Sequence, residues 1–436
     1  MSFKDCKEII TFVVIKNLKE LMKSIYLMNK WTVLSLSLCL LTGCHSNKNK
    51  QKTVLAVKKN LQIDTLLQHR LKDFVKAPRM KGNFGIYVYD LTAGKPVYGY
   101  DENLDQSSAS CLKLISGTAA LKLLGTQYRF VDYLCMRGNI DQGILNGDVT
   151  LMTGFDPLLT DKDFPKFIQA LKKKNIKKIR GKFILKLMMK DPVKSEQHWY
   201  PWDLSFSSYG ILFKGAPNMI KAIKAAFRSQ GIAIADSQIV LANHVPKGSK
   251  CIFWISHPVT GVIKKMWKNS SNTQATSLLY AVGHRVNPHL DPPTAGVNYL
   301  RKFLREDLGE KNPKLVIHDG CGLCTHNHLT PKVLNDILKY GYEHKPIYNV
   351  MQKELAIAGI DGTLKGFLAG TPYKGRIKGK TGTLSHPYGI SSLAGFCEAS
   401  NGHLLTFAIM DSKMSVLDAH VLQHKLFNVL VENKKK

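Results

Sequence analysis

The sequence is poor in acidic residues and lacks the motifs that mark nucleotide-binding and nucleic-acid-binding proteins. Its 32 Asp and Glu residues are outnumbered by 62 Lys and Arg residues, which gives a formal net charge of +30 over 436 residues. Such an excess favours anionic partners, among them nucleic acids, acidic lipid headgroups and anionic envelope polymers. The basic residues are scattered, and neither a glycine-rich phosphate-binding loop nor an RNA- or DNA-binding signature accompanies them. We therefore expect no nucleic-acid partner.

The N-terminal apolar run is too short to span a bilayer comfortably. It extends over Trp31–Leu41, follows Lys30 and is succeeded by the small-residue sequence Leu-Thr-Gly-Cys. A short apolar run with a basic flank is typical of a secretory signal, whereas a buried core helix is the alternative interpretation. We interpret residues 1–43 as a signal region, of which residues 1–27 could be an upstream extension.

The end of this run resembles a bacterial lipobox, which implies that Cys44 carries lipid. Residues 44–60 would then form the lipidated cysteine and a polar, basic linker. We expect a periplasm-facing lipoprotein of the outer membrane, attached to the membrane through that lipid. In an oxidising envelope some of the remaining cysteines could pair, but the sequence leaves the pairing open. Those cysteines are Cys111, Cys135, Cys251, Cys321, Cys324 and Cys397.

The distribution of strand and helix patterns predicts an α+β fold. Asn83–Leu91 and Lys95–Glu102 are rich in aromatic and β-branched residues, and they read as an antiparallel hairpin. Three further strand patterns follow one another late in the chain, before a C-terminal helix from about Ser415. Strands at both ends with helices between them suggest one antiparallel sheet built from the two ends of the chain. The middle would contribute helices and an inserted α/β subdomain.

Ser110 and Lys113 form the first candidate chemical pair. At i and i+3 of a helix their side chains share a face, and a lysine of lowered pKa could take the proton of the serine hydroxyl. Cys111 lies about 100° further around the helix, so we expect it to face away from Lys113 and not to act as the nucleophile. Ser-x-x-Lys alone is a weak signal, although no other serine here has lysine three residues later.

Two further motifs follow in order, and together the three carry a resemblance. Ser270-Ser271-Asn272 precedes a helical pattern, and Lys380-Thr381-Gly382 lies on a strand pattern. Ser-x-x-Lys, Ser-x-Asn and Lys-Thr-Gly in this order resemble the motif set of penicillin-binding proteins and serine β-lactamases. The resemblance implies a layered β-lactamase/transpeptidase-like domain, an antiparallel sheet with flanking helices.

Longer stretches resemble the class C low-molecular-mass penicillin-binding proteins, the D-alanyl-D-alanine carboxypeptidase/endopeptidases. The similarity implies a peptidase domain of residues 61–127 and 254–436, with an inserted subdomain at 128–253 that is shorter than usual in the family. It implies peptidoglycan stem peptides and cross-links as substrates, β-lactams as inhibitors, and no cofactor or metal. The stretches that carry it are Gly147–Thr160, Trp199–Leu204, His318–Asn327, Ala358–Leu364 and Lys380–Phe396.

The family resemblance also implies a role for each motif residue. Ser110 would form the acyl-enzyme, and Lys113 would accept its proton. Ser270 would relay a proton to the leaving amine, and Asn272 would hold the substrate backbone and Lys113. Lys380 and Thr381 would bind the terminal carboxylate, and Gly382 would allow the substrate to approach closely. The backbone N–H groups of Ser110 and Thr383 would form an oxyanion hole.

Several departures from the family pattern keep other interpretations open. Cys321 and Cys324 stand where the family usually has serine, Ser271 where aspartate is common, and Ser108 where proline often occurs. Cys321-x-x-Cys324 could be a redox pair or half a zinc site, but two small buried residues are the favoured interpretation. A β-lactamase is the first alternative function, although no Glu-x-x-Leu-Asn motif follows Ser110. A non-catalytic, wall-binding lipoprotein is the second.

Overall fold

The computed structural model describes residues 62–77, 82–196, 198–205, 208–385 and 389–432. The predicted signal region, the lipidation of Cys44 and the basic linker lie outside the described residues. Apart from residues 244–248, the described residues belong to one compact unit. Within the described ranges, no helix combines the length and the apolar character needed to cross a membrane.

Both ends of the chain build one six-stranded antiparallel sheet, as the sequence predicts. The hairpin β1 and β2 lies beside the three late strands, in the order β11-β12-β13-β14-β1-β2. Strands β1 and β14 pair antiparallel from Asn83 opposite Ser412 to Asp90 opposite Leu405. The strands are β1 (Asn83–Asp90), β2 (Lys95–Tyr100), β11 (Ala356–Ile357), β12 (Ile377–Leu384), β13 (Ile390–Glu398) and β14 (Leu404–Ser412).

Helices cover both faces of this sheet, which explains why its central strands β13 and β14 are buried along almost their whole length. Successive side chains of a strand point to opposite faces. Ile409 of β14 accordingly belongs to the apolar cluster that includes residues of helices α1 and α10. The next residue, Met410, belongs to the cluster that includes residues of α2 and α8. The helices are α1 (Thr65–Lys76), α2 (Leu112–Leu124), α3 (Phe164–Lys172), α4 (Ala216–Gln230), α5 (Val259–Lys268), α6 (Asn272–Val286), α7 (Pro292–Glu306), α8 (Pro331–Glu343), α9 (Lys345–Glu354) and α10 (Val416–Val431).

Helix α2 is the central helix of the fold. Every residue from Leu112 to Leu121 is buried, including the side chain of Lys113. A helix that is apolar all round belongs in a core, and α2 is enclosed by α5, α6, α7, α8 and α9. The residues just before α2 are therefore presented by a rigid support.

The middle of the chain forms two smaller sheets, which fits the predicted inserted α/β region. The larger has the order β10-β3-β6-β8-β9, in which β6, β8 and β9 run parallel; the smaller has the order β4-β5-β7. The α+β fold class is confirmed, while the domain boundaries at 128 and 253 stay a prediction. The strands are β3 (Arg129–Met136), β4 (Asn139–Asp141), β5 (Ile144–Asn146), β6 (Val149–Met152), β7 (Lys178–Ile179), β8 (Phe183–Lys186), β9 (Ile239–Leu241) and β10 (Lys250–Pro258).

Candidate active site

Ser110 lies on a short turn immediately before α2. Ala109–Cys111 form one turn of 3-10 helix, and α2 begins at Leu112. Ala109 has φ 44°, a left-handed conformation that is energetically unfavourable for a residue with a Cβ atom and persists only where the surroundings enforce it. Both neighbours of Ser110 are buried, whereas Ser110 itself is partly exposed. The turn therefore holds the hydroxyl at the edge of a packed region.

The ammonium group of Lys113 contacts three oxygen atoms. Its Nζ atom lies 2.7 Å from Ser110 Oγ and 2.7 Å from Asn272 Oδ1. The third oxygen is the backbone carbonyl of Cys321, at 2.6 Å. The structure thus brings together the first two motifs, which are more than 150 residues apart in the chain.

Burial changes the acid–base behaviour of Lys113. Desolvation lowers the pKa of this completely buried lysine from 10.5 to about 8, although Cys321 and Asp319 oppose the shift. A lysine with such a pKa has an appreciable neutral fraction near neutral pH. The neutral amine can accept a proton from the hydroxyl at 2.7 Å, which makes Ser110 a stronger nucleophile.

Lys380 is a second completely buried lysine, and it contacts the second motif. Its Nζ atom donates a hydrogen bond to Ser270 Oγ at 2.7 Å and another to the backbone carbonyl of Thr381. Desolvation, and then the charge of Lys113, lowers the pKa of Lys380 to about 7. Ser270 has φ 58°, which turns the chain just before α6 begins at Asn272.

Strand β12 packs directly against the nucleophile turn, and a glycine makes this approach possible. A Cβ atom at Gly382 would lie 2.5 Å from the carbonyl oxygen of Ser108 and 2.9 Å from the backbone nitrogen of Cys111. The Cys111 Sγ atom lies 3.0 Å from the carbonyl oxygen of Lys380, and burial raises the pKa of this thiol. Cys111 therefore faces β12.

The two threonines of the third motif differ in exposure. Thr381 is half-buried, and its hydroxyl donates to Thr363 Oγ1 at 2.8 Å. Thr383 is exposed on β12, opposite Ser391. The hydroxyl of Ser392, the residue after Ser391, donates to the carbonyl of Ser108 at 2.5 Å. The alternation along β12 thus places Thr381 and Thr383 on the opposite face from Gly382.

The loop that precedes α8 supports the site through contacts that its sequence did not indicate. The carboxylate of Asp319 accepts hydrogen bonds from the backbone N–H groups of Gly322 and Cys324, at 2.7 and 2.8 Å, and from the indole N–H of Trp199 at 2.8 Å. These bonds fix the loop whose Cys321 carbonyl contacts Lys113. The motif His318–Asn327 indicated the loop, but none of its residue types indicated a backbone contact with Lys113.

The same loop also contacts the nucleophile turn, through Gly322. Gly322 has φ 81°, and a Cβ atom there would lie 2.0 Å from the carbonyl oxygen of Ala109. A glycine is therefore required for conformation and for space. A second missed contact is the indole N–H of Trp267, which donates to the backbone carbonyl of Lys113 at 2.7 Å.

Cys321 and Cys324, the possible redox pair or half zinc site, lie in the same loop as His318 and His326. Cys321 and Cys324 are buried free thiols. Desolvation raises the pKa of both, that of Cys324 to about 11. The rings of His198, His318 and His326 are neighbours, with centroids 4.5 to 6.4 Å apart. Among the described residues, no group of three or more His, Cys, Asp or Glu side chains is arranged to hold a metal ion.

The site combines a serine hydroxyl with a buried lysine at hydrogen-bond distance, and it lies beside an antiparallel sheet with helices on both faces. This combination defines the class of serine acyl-transfer enzymes to which penicillin-binding proteins belong. The chain belongs to the D-Ala-D-Ala carboxypeptidase 3 (S13) family, which it matches over residues 67–210 and 211–431. This is a family of serine peptidases, and its bacterial cell-wall members are consistent with a place in the cell envelope.

Individual relatives are distant in sequence and similar in fold. D-alanyl-D-alanine carboxypeptidase DacB of Haemophilus influenzae is 22% identical over 433 residues, which cover 80% of this chain and 89% of the relative. The crystal structure of penicillin binding protein 4 from Haemophilus influenzae aligns with TM-score 0.69 at 20% identity, over 83% of this chain and 99% of that one. The predatory peptidoglycan endopeptidase Bd3459 of Bdellovibrio bacteriovorus aligns with TM-score 0.58 at 16% identity, over 82% and 96%.

Proposed function

We propose that this protein is a serine-type D-alanyl-D-alanine carboxypeptidase/endopeptidase that cleaves peptidoglycan peptides through an acyl-enzyme at Ser110. The observation that carries the proposal is the contact between Lys113 Nζ and Ser110 Oγ at 2.7 Å. Desolvation lowers the pKa of Lys113 to about 8 and so supplies the neutral amine that a general base must be.

Acylation begins when Ser110 Oγ attacks the carbonyl carbon between the two D-alanines. Lys113 takes the hydroxyl proton as the new C–O bond forms. The backbone N–H groups of Ser110 and Thr383 donate to the developing oxyanion; a donor of this kind typically lowers the barrier by roughly 3–4 kcal/mol. Collapse of the tetrahedral intermediate breaks the peptide C–N bond.

The leaving amine must receive a proton as that bond breaks. Ser270 and Lys380 are hydrogen-bonded at 2.7 Å, which supports a relay that delivers the proton through Ser270 Oγ. Asn272, already bonded to Lys113, orients the lysine and the substrate backbone. Water then attacks the ester carbonyl and Lys113 again accepts a proton. Lys113 returns this proton to Ser110 Oγ as the ester C–O bond breaks, and the shortened peptide leaves.

The substrate class follows from the family and from the third motif. Lys380 and Thr381 would bind the C-terminal carboxylate of a stem peptide, and the close approach of Gly382 to the nucleophile turn keeps β12 beside Ser110. The relatives are a D-alanyl-D-alanine carboxypeptidase and a peptidoglycan endopeptidase, and one related endopeptidase structure carries penicillin G as an acyl group. We accordingly propose stem peptides and cross-links as substrates and β-lactams as inhibitors.

The proposal extends to the anchor of the enzyme. A signal region of residues 1–43 and lipidation of Cys44 would place the enzyme on the periplasmic side of the outer membrane, where the 44–60 linker separates lipid from enzyme. The net charge of +30 suits an anionic cell wall. Metabolic labelling with a fatty-acid analogue tests the anchor, because Cys44→Ala should abolish incorporation.

One experiment distinguishes the proposed activity from its alternatives. Purified protein is incubated with a fluorescent penicillin and, separately, with a pentapeptide ending in D-Ala-D-Ala. We expect stable labelling of Ser110 and release of D-alanine, and Ser110→Ala should lose both while Ser237→Ala, an exposed serine outside the site, keeps both. Rapid turnover of penicillin without D-alanine release would favour a β-lactamase. Neither labelling nor release would indicate a non-catalytic wall-binding protein.

A further inference from the structure

Two cysteines lie directly opposite one another on neighbouring strands, far along the chain from the catalytic motifs. In the antiparallel pair β3 and β10, Cys135 is the register partner of Cys251. Directly opposed residues of an antiparallel pair have Cα atoms about 4.5 or 5.5 Å apart, and disulfides join Cα atoms about 4.4–6.8 Å apart. The two thiol groups are already in hydrogen-bond contact with one another. Both Cα separations fall within the range that a disulfide spans.

We propose that Cys135 and Cys251 form a disulfide when the protein is in the oxidising environment of the cell envelope. The crosslink joins β10 to β3 at the end of β10 distant from α5. It closes a chain segment that contains β6, β8 and β9 together with α3 and α4. Disulfides persist in secreted and envelope proteins and are kept reduced in the cytosol, so the bond would form only after export.

The two thiols have the complementary properties that thiol–disulfide exchange requires. Cys251 is exposed, and its hydrogen bond with Cys135 lowers its pKa to about 7, although burial opposes the shift. Its Sγ atom also lies 3.6 Å from the carbonyl oxygen of Phe253, at an irregularity of the strand. Cys135 is only 8% exposed, and the same hydrogen bond together with burial raises its pKa. Cys251 is therefore the attacking thiolate, and Cys135 is the second thiol.

The exchange needs an external oxidant, which is a disulfide of a low-molecular-mass thiol or of a donor protein. The Cys251 thiolate attacks one sulfur of the donor, a mixed disulfide forms, and the first donor thiolate leaves. Cys135 then loses its proton and attacks Cys251 Sγ, and the second donor thiolate leaves. Two electrons pass to the donor, its S–S bond is replaced by the Cys135–Cys251 bond, and the two protons end on the donor thiols.

The other four described cysteines are all buried, whereas the Cys135–Cys251 pair has one exposed thiol. Cys111 and Cys321 pack at the active site, where their neighbours are Lys380 and Asp319. Cys324 belongs to the same loop as Cys321, and Cys397 is enclosed within β13. Burial raises the pKa of each of these thiols and denies an oxidant access to it. Selective oxidation of the Cys135–Cys251 pair is the expected outcome.

Peptide mapping tests the proposal on the full chain recovered from the envelope. The protein is denatured in an alkylating reagent without reductant and digested with trypsin, which yields Phe130–Arg137 and Cys251–Lys264, each with one cysteine. We expect the two peptides to be joined, at a mass lower by two hydrogens than their sum, and to separate on reduction. As a second readout, reduction should lower the thermal unfolding midpoint of wild type while leaving that of Cys251→Ser unchanged, because a closed loop restricts the unfolded chain.

Either of two results would overturn the proposal. The first is recovery of both peptides in alkylated form after the folded protein has been equilibrated with excess oxidised glutathione. The second is a link from either cysteine to one of the four buried cysteines. Cys135→Ser and Cys251→Ser are matched controls, since each should lose the joined peptide and retain penicillin labelling at Ser110. Because the peptide map of wild type decides the question alone, a poorly folding variant would not leave it open.

Discussion

The charge of Lys113 lowers the pKa of Lys380, so the two completely buried lysines of the site interact electrostatically. Their ammonium groups contact different residues: Lys113 contacts Ser110, and Lys380 contacts Ser270. Because the two groups interact, they titrate as a coupled pair with macroscopic pKa values. Of the two lysines, Lys380 has the lower pKa in the free protein, and a carboxylate bound beside it would favour its charged form.

The rate of penicillin acylation should depend on pH. The pKa of Lys113 is lowered to about 8, so its neutral form is lost as pH falls below that value. We expect the second-order acylation rate constant to fall on the acid side by up to roughly tenfold per pH unit, since the base is consumed by protonation. Stopped-time labelling between pH 5.5 and 9, with circular dichroism at each pH to verify folding, measures the profile. A flat profile would exclude Lys113 as the base.

Replacing Lys113 by arginine should slow acylation strongly while keeping a positive charge at the site. A guanidinium has a pKa above about 12 and remains protonated, so it cannot accept the proton of Ser110. We expect the acylation rate to fall by roughly 10²–10⁴-fold, the usual contribution of a general base. Lys122→Arg is the matched control, because Lys122 lies on the same helix and forms a surface ion pair with Asp307. Acylation by Lys113→Arg at the wild-type rate would contradict the mechanism.

Gly382→Ala should impair acylation more than stability. Its Cβ atom would lie 2.3 Å from Ser392 Oγ and 2.5 Å from the carbonyl oxygen of Ser108, so β12 or the nucleophile turn must shift. A displacement near 1 Å can lower a rate by roughly 10²-fold. Gly366→Ala is the control, since nothing lies within 4 Å of the added methyl group there. Labelling kinetics and thermal unfolding of both variants separate the two effects, and equal kinetics would show that the contact is unimportant.

Asp319→Asn should reduce both stability and acylation. The carboxylate accepts from Gly322, Cys324 and Trp199, and an amide would place a donor against these donors. Each buried group left without a partner costs about 1–3 kcal/mol, so we expect the free energy of unfolding to fall by about 2 kcal/mol or more.

Urea unfolding measures the loss of stability in Asp319→Asn, and penicillin labelling follows the displacement of the Cys321 carbonyl from Lys113. Asp307→Asn is the comparison variant. It removes a carboxylate from an exposed ion pair, and such a pair contributes at most about 1 kcal/mol. If the two substitutions have the same effect, Asp319 does not organise the loop.

Cys321→Ser and Cys324→Ser should retain acylation. Both thiols are buried, and a hydroxyl at position 321 could replace the thiol that lies 3.7 Å from Asp319 Oδ2. If these side chains fill space and hold no metal, we expect less than about a threefold change in labelling rate and no effect of a chelator. Loss of labelling on chelation, restored by zinc, would support the ligand interpretation of this pair.

The sequence predicts the residues that take part in the chemistry better than the contacts that hold those residues in place. The chemical residues belong to side-chain motifs that occur in a fixed order, and such motifs can be recognised in the sequence. They are Ser110, Lys113, Asn272 and Lys380. The contact from Cys321 to Lys113 uses a backbone carbonyl, which any residue could supply, so no residue type marks it. The same holds for the left-handed conformation of Ser270, which glycine or asparagine would have signalled.

The fold shows a similar division. The hairpin Asn83–Leu91 and Lys95–Glu102 and the three late strands were recognisable because each is long and rich in β-formers. In the middle of the chain the strands are two to four residues long in several places, for example Lys178–Ile179, and so short a run has no measurable period. Strands β6, β8 and β9 pair in parallel because helices connect them. The sequences of the strands themselves do not indicate this pairing.

The turn that carries Ser110 is completed by parts of the chain that are synthesised much later. Gly322 and Gly382 both contact it, and the Ser392 hydroxyl bonds to Ser108 across 284 positions of sequence. A chain still emerging from the ribosome has the serine and its lysine but not the surfaces that position them. The enzyme should therefore be inert during synthesis and gain activity only when its last strands join the sheet.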